Sequence, residues 1–236
     1  MLVFACLSPH PPIILPNVGS AEDRVQVKKT IASLEKLAKQ LAQTKPDCIV
    51  ISSPHPDWGI KVPLHFLMSN FKCQISNQFQ MTNFENWKLA FRRNLAKRAI
   101  GNSEVLPILT TLDSPQQHFE WGKKIAKMVP QKLRWAWIAS GDMSHRLAED
   151  GPYGLHPSGP KFDKEFIRLL KQKDIQGILN LSPRLIEEAG ECGLRSFCML
   201  LGALEAHSAS SGQAWQPEIL SYEGPFGVGY LVARLL

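Results

Sequence analysis

The chain has 236 residues, 44% of them hydrophobic and 20% charged, with a formal net charge of +6; this composition is that of an ordinary soluble protein, enough for one sizeable core and too little for two. Its basic residues come in small clusters, such as Lys28-Lys29, Arg92-Arg93 and Lys123-Lys124, which read as solvated helix faces and argue against nucleic-acid binding. No apolar run reaches membrane-spanning length and prolines interrupt residues 1–20, so a cytoplasmic protein with no membrane partner is expected.

The first predicted element is a strand over Leu2 to Leu7, short and apolar enough to be buried on both faces, and it runs into Ser8-Pro9-His10-Pro11. Ser20 is placed to cap a helix whose positions Val27, Ile31, Leu34, Ala38 and Leu41 keep the 3.6-residue period, with Pro46 as its stop. A second strand, Cys48 to Ile51, runs into a repeat of the same tetrapeptide, Ser53-Pro54-His55-Pro56. This strand, helix and strand form a βαβ start. Ile60 to Leu67 and Cys73 to Ile75 read as shorter strands, followed by a helix from about Phe84 to Ile100 that stops at Gly101. Ser114-Pro115-Gln116-Gln117 predicts a capped helix start, with the helix running to Met128.

A third buried strand, Arg134 to Ala139, opens into Ser140-Gly141-Asp142-Met143-Ser144-His145; its Trp135 and Trp137 are expected to flank the core. A Gly/Pro-rich loop from Gly151 to Pro160 precedes helices over about Lys161 to Gln172 and Leu194 to Ala206. Ser208 to Gln213 reads as a polar turn, and strands over Glu218 to Tyr222 and Gly227 to Ala233 close the chain. The alternation predicts a single α/β domain over 1–236, with a mostly parallel central sheet, helices on both faces and the site at the strands' C-terminal edge.

The chemistry sits at that edge. A proline after each apolar run holds the preceding serine extended and cannot donate to the ladder, so His10 and His55 should emerge just past two strand ends, with His145 on the same rim. Two imidazoles need a third ligand to hold a transition metal well. Asp57, Asp142, Glu191 and Glu223 stand in suggestive contexts, and spacing does not choose among them; a carboxylate would suit iron(II), whereas Cys192 would favour zinc or copper. The five cysteines, odd in number and without CxxC spacing, read as reduced thiols. His65, His118 and His207 carry no motif and read as surface or hydrogen-bonded residues.

With these residues in view, the sequence resembles the class III extradiol ring-cleavage dioxygenases of the LigB type, particularly compact members associated with AMMECR1 domains and radical SAM proteins. The resemblance rests on both Ser-Pro-His elements, on Ile138 to Leu147, on Gly151 to Asp163, on Ala189 to Ser196 and on Ser221 to Gly227. It implies Fe(II) held by His10, His55 and Glu191, a catalytic acid/base at His145, and a substrate-side role for His156. The implied reaction is extradiol cleavage of a catechol by dioxygen, with the metal carrying the redox step and His145 moving a proton. A homodimer and an AMMECR1-type or radical SAM partner are implied as well. After His55 the chain reads Asp57-Trp58-Gly59 where many relatives carry an Asp-His-Gly turn. The related Memo proteins place a cysteine near position 191, so a Memo-like metal-binding redox or interaction protein, with zinc or copper, is the alternative. A zinc hydrolase on the same rim is a third reading.

Overall fold

The computed structural model describes residues 1–69, 73–75, 79–80, 103–130 and 132–236. The expected helix from Phe84 to Ile100 lies outside the described residues.

Strands β1 (Leu2–Ser8), β2 (Cys48–Ser53), β3 (Cys73–Ile75), β4 (Phe79–Gln80), β5 (Ser103–Leu109), β6 (Trp135–Ser140), β7 (Glu218–Glu223) and β8 (Tyr230–Arg234) form one sheet in the order β3-β5-β2-β6-β1-β8-β7, with β4 also on β5. Every pairing from β3 to β1 is parallel, and β8 joins β1 antiparallel and hairpins with β7. β6 enters late in sequence yet lies between β1 and β2. The loops after β1, β6 and β2 therefore leave the sheet side by side, about 5 Å from one strand to the next, and the two Ser-Pro-His elements flank the loop that carries Asp142 and His145.

The strands point alternate residues to opposite faces, as a pleated strand must. Trp135, Trp137 and Ala139 of β6 pack into one core and Ala136 and Ile138 into another. The first core is covered by α4 (Pro115–Met128), α5 (Ser158–Gln172) and α8 (Leu194–Ser211), the second by α2 (Lys28–Thr44) and α3 (Trp58–Leu67). The short helices α1 (Ala21–Gln26), α6 (Ile175–Leu179) and α7 (Pro183–Ala189), with a 3-10 turn over Pro12–Ile14, complete the described set.

Ser20 caps α1 as expected, in a reciprocal box with Asp23. The helical stripe then breaks: Val27 leaves helical geometry at φ −113° and ψ 24° and is buried, so α2 starts afresh at Lys28. The orphan donor this creates at Thr30 goes to Glu223 Oε2 of β7, which accepts both the Thr30 N–H at 2.8 Å and its hydroxyl at 2.7 Å. Glu223 is thus a long-range helix cap.

Ile60 to Leu67, expected as a strand, is the body of α3. Asp57 accepts the Trp58 N–H at 2.7 Å at its start, and Gly59, Ile60, Pro63 and Leu67 are buried at helical spacing despite the internal proline. Ser208 to Ser211, expected as a turn, continues α8 to the left-handed Gly212. β5 escapes sequence reading because Glu104 and Pro107 interrupt its apolar run, although both are buried. Among the described residues no helix is long and apolar enough to cross a membrane.

Candidate metal centre

The tetrapeptides do what their prolines dictate. β1 ends at Ser8 and β2 at Ser53, and the His10 and His55 rings meet edge to face with centroids 5.2 Å apart. One ligand atom from each histidine and the sulfur of Cys192 all lie within 4.8 Å of one another. His10 Nε2 is 3.6 Å from Cys192 Sγ. The opposite ring nitrogen, Nδ1, is 3.0 Å from Ser140 Oγ, an orienting contact of the kind that fixes a metal-binding imidazole. His10 is buried, and burial first, then the neighbouring His55, pushes its pKa down to about 3. Its ring is therefore neutral at pH 7, the form that binds metal.

Cys192 reaches the rim because the turn after β6 lies directly on the start of α8. A Cβ added at Gly141 would stand 2.2 Å from Gly193 Cα, so only glycine permits this approach. Gly193 N–H donates to the Asp142 carbonyl at 3.0 Å, and Asp142 N–H points at Cys192 Sγ at 3.3 Å. Beneath it, Ser196 of α8 bonds the Ser52 hydroxyl and carbonyl, each at 2.8 Å, and Trp137 Nε1 donates to the same Ser52 hydroxyl at 2.9 Å. This buried polar network ties α8 to β2 and β6 under the candidate ligands. Burial, with the Asp142 charge adding to it, raises the Cys192 thiol well above its usual range. Such a thiol ionises only when a cation sits on it.

Glu191 is not in the set of His10, His55 and Cys192. Its Oε2 accepts the Leu194 N–H at 2.6 Å, serving the start of α8, while Oε1 is buried without a hydrogen bond and lies 3.9 Å from Arg195 Nη1. Burial lifts this carboxyl to about 7. The clustered set at the rim contains Cys192 where the resemblance had implied Glu191. Gly190, just before this pair, is left-handed at φ 62°, a backbone direction that sequence spacing does not encode.

His145 stands beside this group, and a ring nitrogen of it, a carboxylate oxygen of Asp142 and the Cys192 sulfur form a second set within 4.8 Å. Asp142 Oδ1 accepts the His10 backbone N–H at 2.8 Å, which locks the β6 turn to the β1 turn. Burial raises the Asp142 carboxyl to about 6. Burial also lowers the His145 pKa, against the pull of Asp142. The turn itself is held by Asp163 of α5, which accepts the Ser144 N–H at 2.8 Å on Oδ1 and the Tyr222 hydroxyl at 2.5 Å on Oδ2.

A cavity of about 260 Å³ opens over His145, lined by Asp142, Pro11, Pro12, Ile13, Tyr153, Phe226 and Tyr230 among others. The Tyr153 ring lies over His145 at 5.1 Å. Sequence reading named neither Tyr153 nor Tyr230 as site residues; both come from segments that only the folded chain brings to the rim. His156 is not among the lining residues: its Nδ1 accepts the Ser158 N–H at 3.2 Å and steadies the start of α5. His118 is hydrogen-bonded at both ring nitrogens, with Nδ1 2.9 Å from the Ser114 carbonyl and Nε2 accepting the Thr111 N–H at 3.2 Å.

Comparison with known proteins gives three findings. The family model for the catalytic LigB subunit of aromatic ring-opening dioxygenase matches residues 102–233. Protein CA_C1420 of Clostridium acetobutylicum is 32% identical over 97% of this chain, and the chain spans 56% of that relative's length. The crystal structure of uncharacterized protein JW3007 from Escherichia coli K12 shares the fold, with a TM-score of 0.51 at 15% identity over 99% of both chains.

Proposed function

The chain belongs to the LigB family of dioxygenase-like proteins, and from that premise we propose that it is a metal-dependent oxidoreductase that opens the ring of a catechol-type aromatic diol with dioxygen. The observation that carries the reading is the adjacency of a His10, His55 and Cys192 cluster to an apolar cavity with His145 in its wall. Two imidazoles and a thiol are a donor set suited to a first-row transition metal, and iron(II) is the ion whose chemistry fits this family. When bound, the ion supplies the exchange of electrons between diol and dioxygen.

The chain's own residues supply the rest. Pro11, Pro12, Ile13 and Phe226 take the flat faces of one aromatic ring and exclude water, and the volume suits a single ring. His145, kept neutral at pH 7 by burial, accepts a proton from a substrate hydroxyl through a ring nitrogen. Its Nε2 is buried with no hydrogen-bond partner among the described residues, free for that contact. Tyr230, whose pKa burial raises, keeps its proton and offers a hydrogen bond to a substrate oxygen.

A second reading is favoured by the sulfur. A thiolate in place of a carboxylate suits a Memo-like redox or interaction protein that binds zinc or copper and does not cleave rings. An AMMECR1-type or radical SAM partner belongs to either reading, and nearly half of the Clostridium relative lies outside the matched length, room for such a domain. Anaerobic loading with iron(II), followed by dioxygen uptake over a panel of catechols, tests the proposal. Uptake with a yellow ring-opened product, slowed roughly 10²- to 10⁴-fold in His145→Ala, is expected. Metal binding without uptake from any catechol overturns ring cleavage in favour of the second reading.

A further inference from the structure

We infer that the centre has a second cation position, built from Asp142, His145 and Cys192, so that the thiolate bridges two ions. The inference rests on the proposed metal centre and deepens it. Its basis is the second set of ligand atoms within 4.8 Å of one another, which shares only the Cys192 sulfur with the first.

Each donor has a free valence in the right place. Asp142 is 6% exposed, and its Oδ1 is engaged by the His10 backbone N–H. Its other oxygen, Oδ2, lies 3.9 Å from His10 Nε2. No lysine or arginine pairs with Asp142 among the described residues. A buried carboxylate with no cation beside it is costly, and an ion removes the cost. The buried His145 Nε2 has no hydrogen-bond partner among the described residues, so a ring nitrogen is available without breaking any bond. Sulfur accepts two metals readily, and two ions sharing one ligand fall at roughly the 3.5–4 Å separation of two-metal sites.

The position faces the cavity that Asp142 and His145 line. Water or a substrate oxygenate can therefore enter its remaining coordination places and balance its charge. Filling the position and protonating His145 at the same nitrogen are mutually exclusive, so the second ion acts against the proton transfer assigned to that ring.

The test is metal stoichiometry on the whole chain, read by calorimetric titration with cobalt(II) and by elemental analysis after gel filtration. Wild type is expected to bind two ions per chain in separable steps. Asp142→Asn, which keeps an oxygen for the His10 N–H, and His145→Ala should each bind one. Cobalt-to-thiolate absorption should persist in both variants, because His10, His55 and Cys192 remain, and circular dichroism checks their fold. One ion in wild type, or two ions surviving in both variants, overturns the second position while leaving the first. No ion in folded wild type overturns the metal centre itself.

Discussion

At the scale of single residues, the least replaceable groups are buried polar atoms with assigned partners. Asp163 is 1% exposed and carries the Ser144 N–H on one oxygen and the Tyr222 hydroxyl on the other. Desolvation still dominates over both hydrogen bonds and holds its carboxyl at about 6 against an ordinary 3.8. The folded state therefore binds this proton more tightly than the unfolded chain does. The stability linked to it is full below about pH 4 and is lost as pH rises through about 6, on the order of 3 kcal/mol for a gap of about two pK units. Asp163→Asn, which keeps an acceptor for Ser144, should flatten the fall in melting temperature between pH 4 and 7. Melting curves for both proteins that fall in parallel would show that the charge of Asp163 does not matter. Spacing left open which of two adjacent residues would join His10 and His55: Cys192 lies in their cluster and Glu191 does not, on a turn shaped by a left-handed Gly190 and the contact of Gly141 with Gly193.

At the scale of elements, α8 is the piece on which the site depends, because it brings Cys192 to the rim from one side of the sheet. It is held there by α4 through two glycines in register: a Cβ at Gly202 would stand 2.0 Å from the Phe119 carbonyl oxygen, and one at Gly122 would stand 1.8 Å from that of Met199. The helix backbones touch, and neither carbonyl can move without giving up its helical bond. Gly202→Ala should destabilise by about 1–3 kcal/mol through overpacking, despite alanine's better helix propensity, and denaturant unfolding would read it. A gain in stability would mean that the helices are free to separate. The capped helices were legible from sequence because Ser20 and Ser114 bond their own first turns. The segment from Ile60 to Leu67 was not, because its apolar residues are β-like taken alone and Pro63 argues against a helix interior. Its helical state is fixed by Asp57 and by burial of one face.

At the scale of the whole molecule, strand order makes the site. The paired Ser-Pro-His elements announced two histidines at strand ends, and the apolar run before Ser140 announced a third. That the late strand β6 inserts between β1 and β2, so that all three loops leave one edge together, is a property of the topology. The apolar cavity was equally hidden, since Pro11, Tyr153 and the Phe226 to Tyr230 segment are far apart in the chain and are gathered only by the fold.

The most direct test of the account is X-ray absorption at the metal edge of protein loaded with one equivalent of zinc, compared with Cys192→Ser and Glu191→Gln. The account predicts one sulfur at about 2.3 Å with imidazole nitrogens at about 2.0–2.1 Å, a sulfur shell lost in Cys192→Ser and unchanged in Glu191→Gln. A shell of nitrogen and oxygen alone that changes only in Glu191→Gln would contradict it.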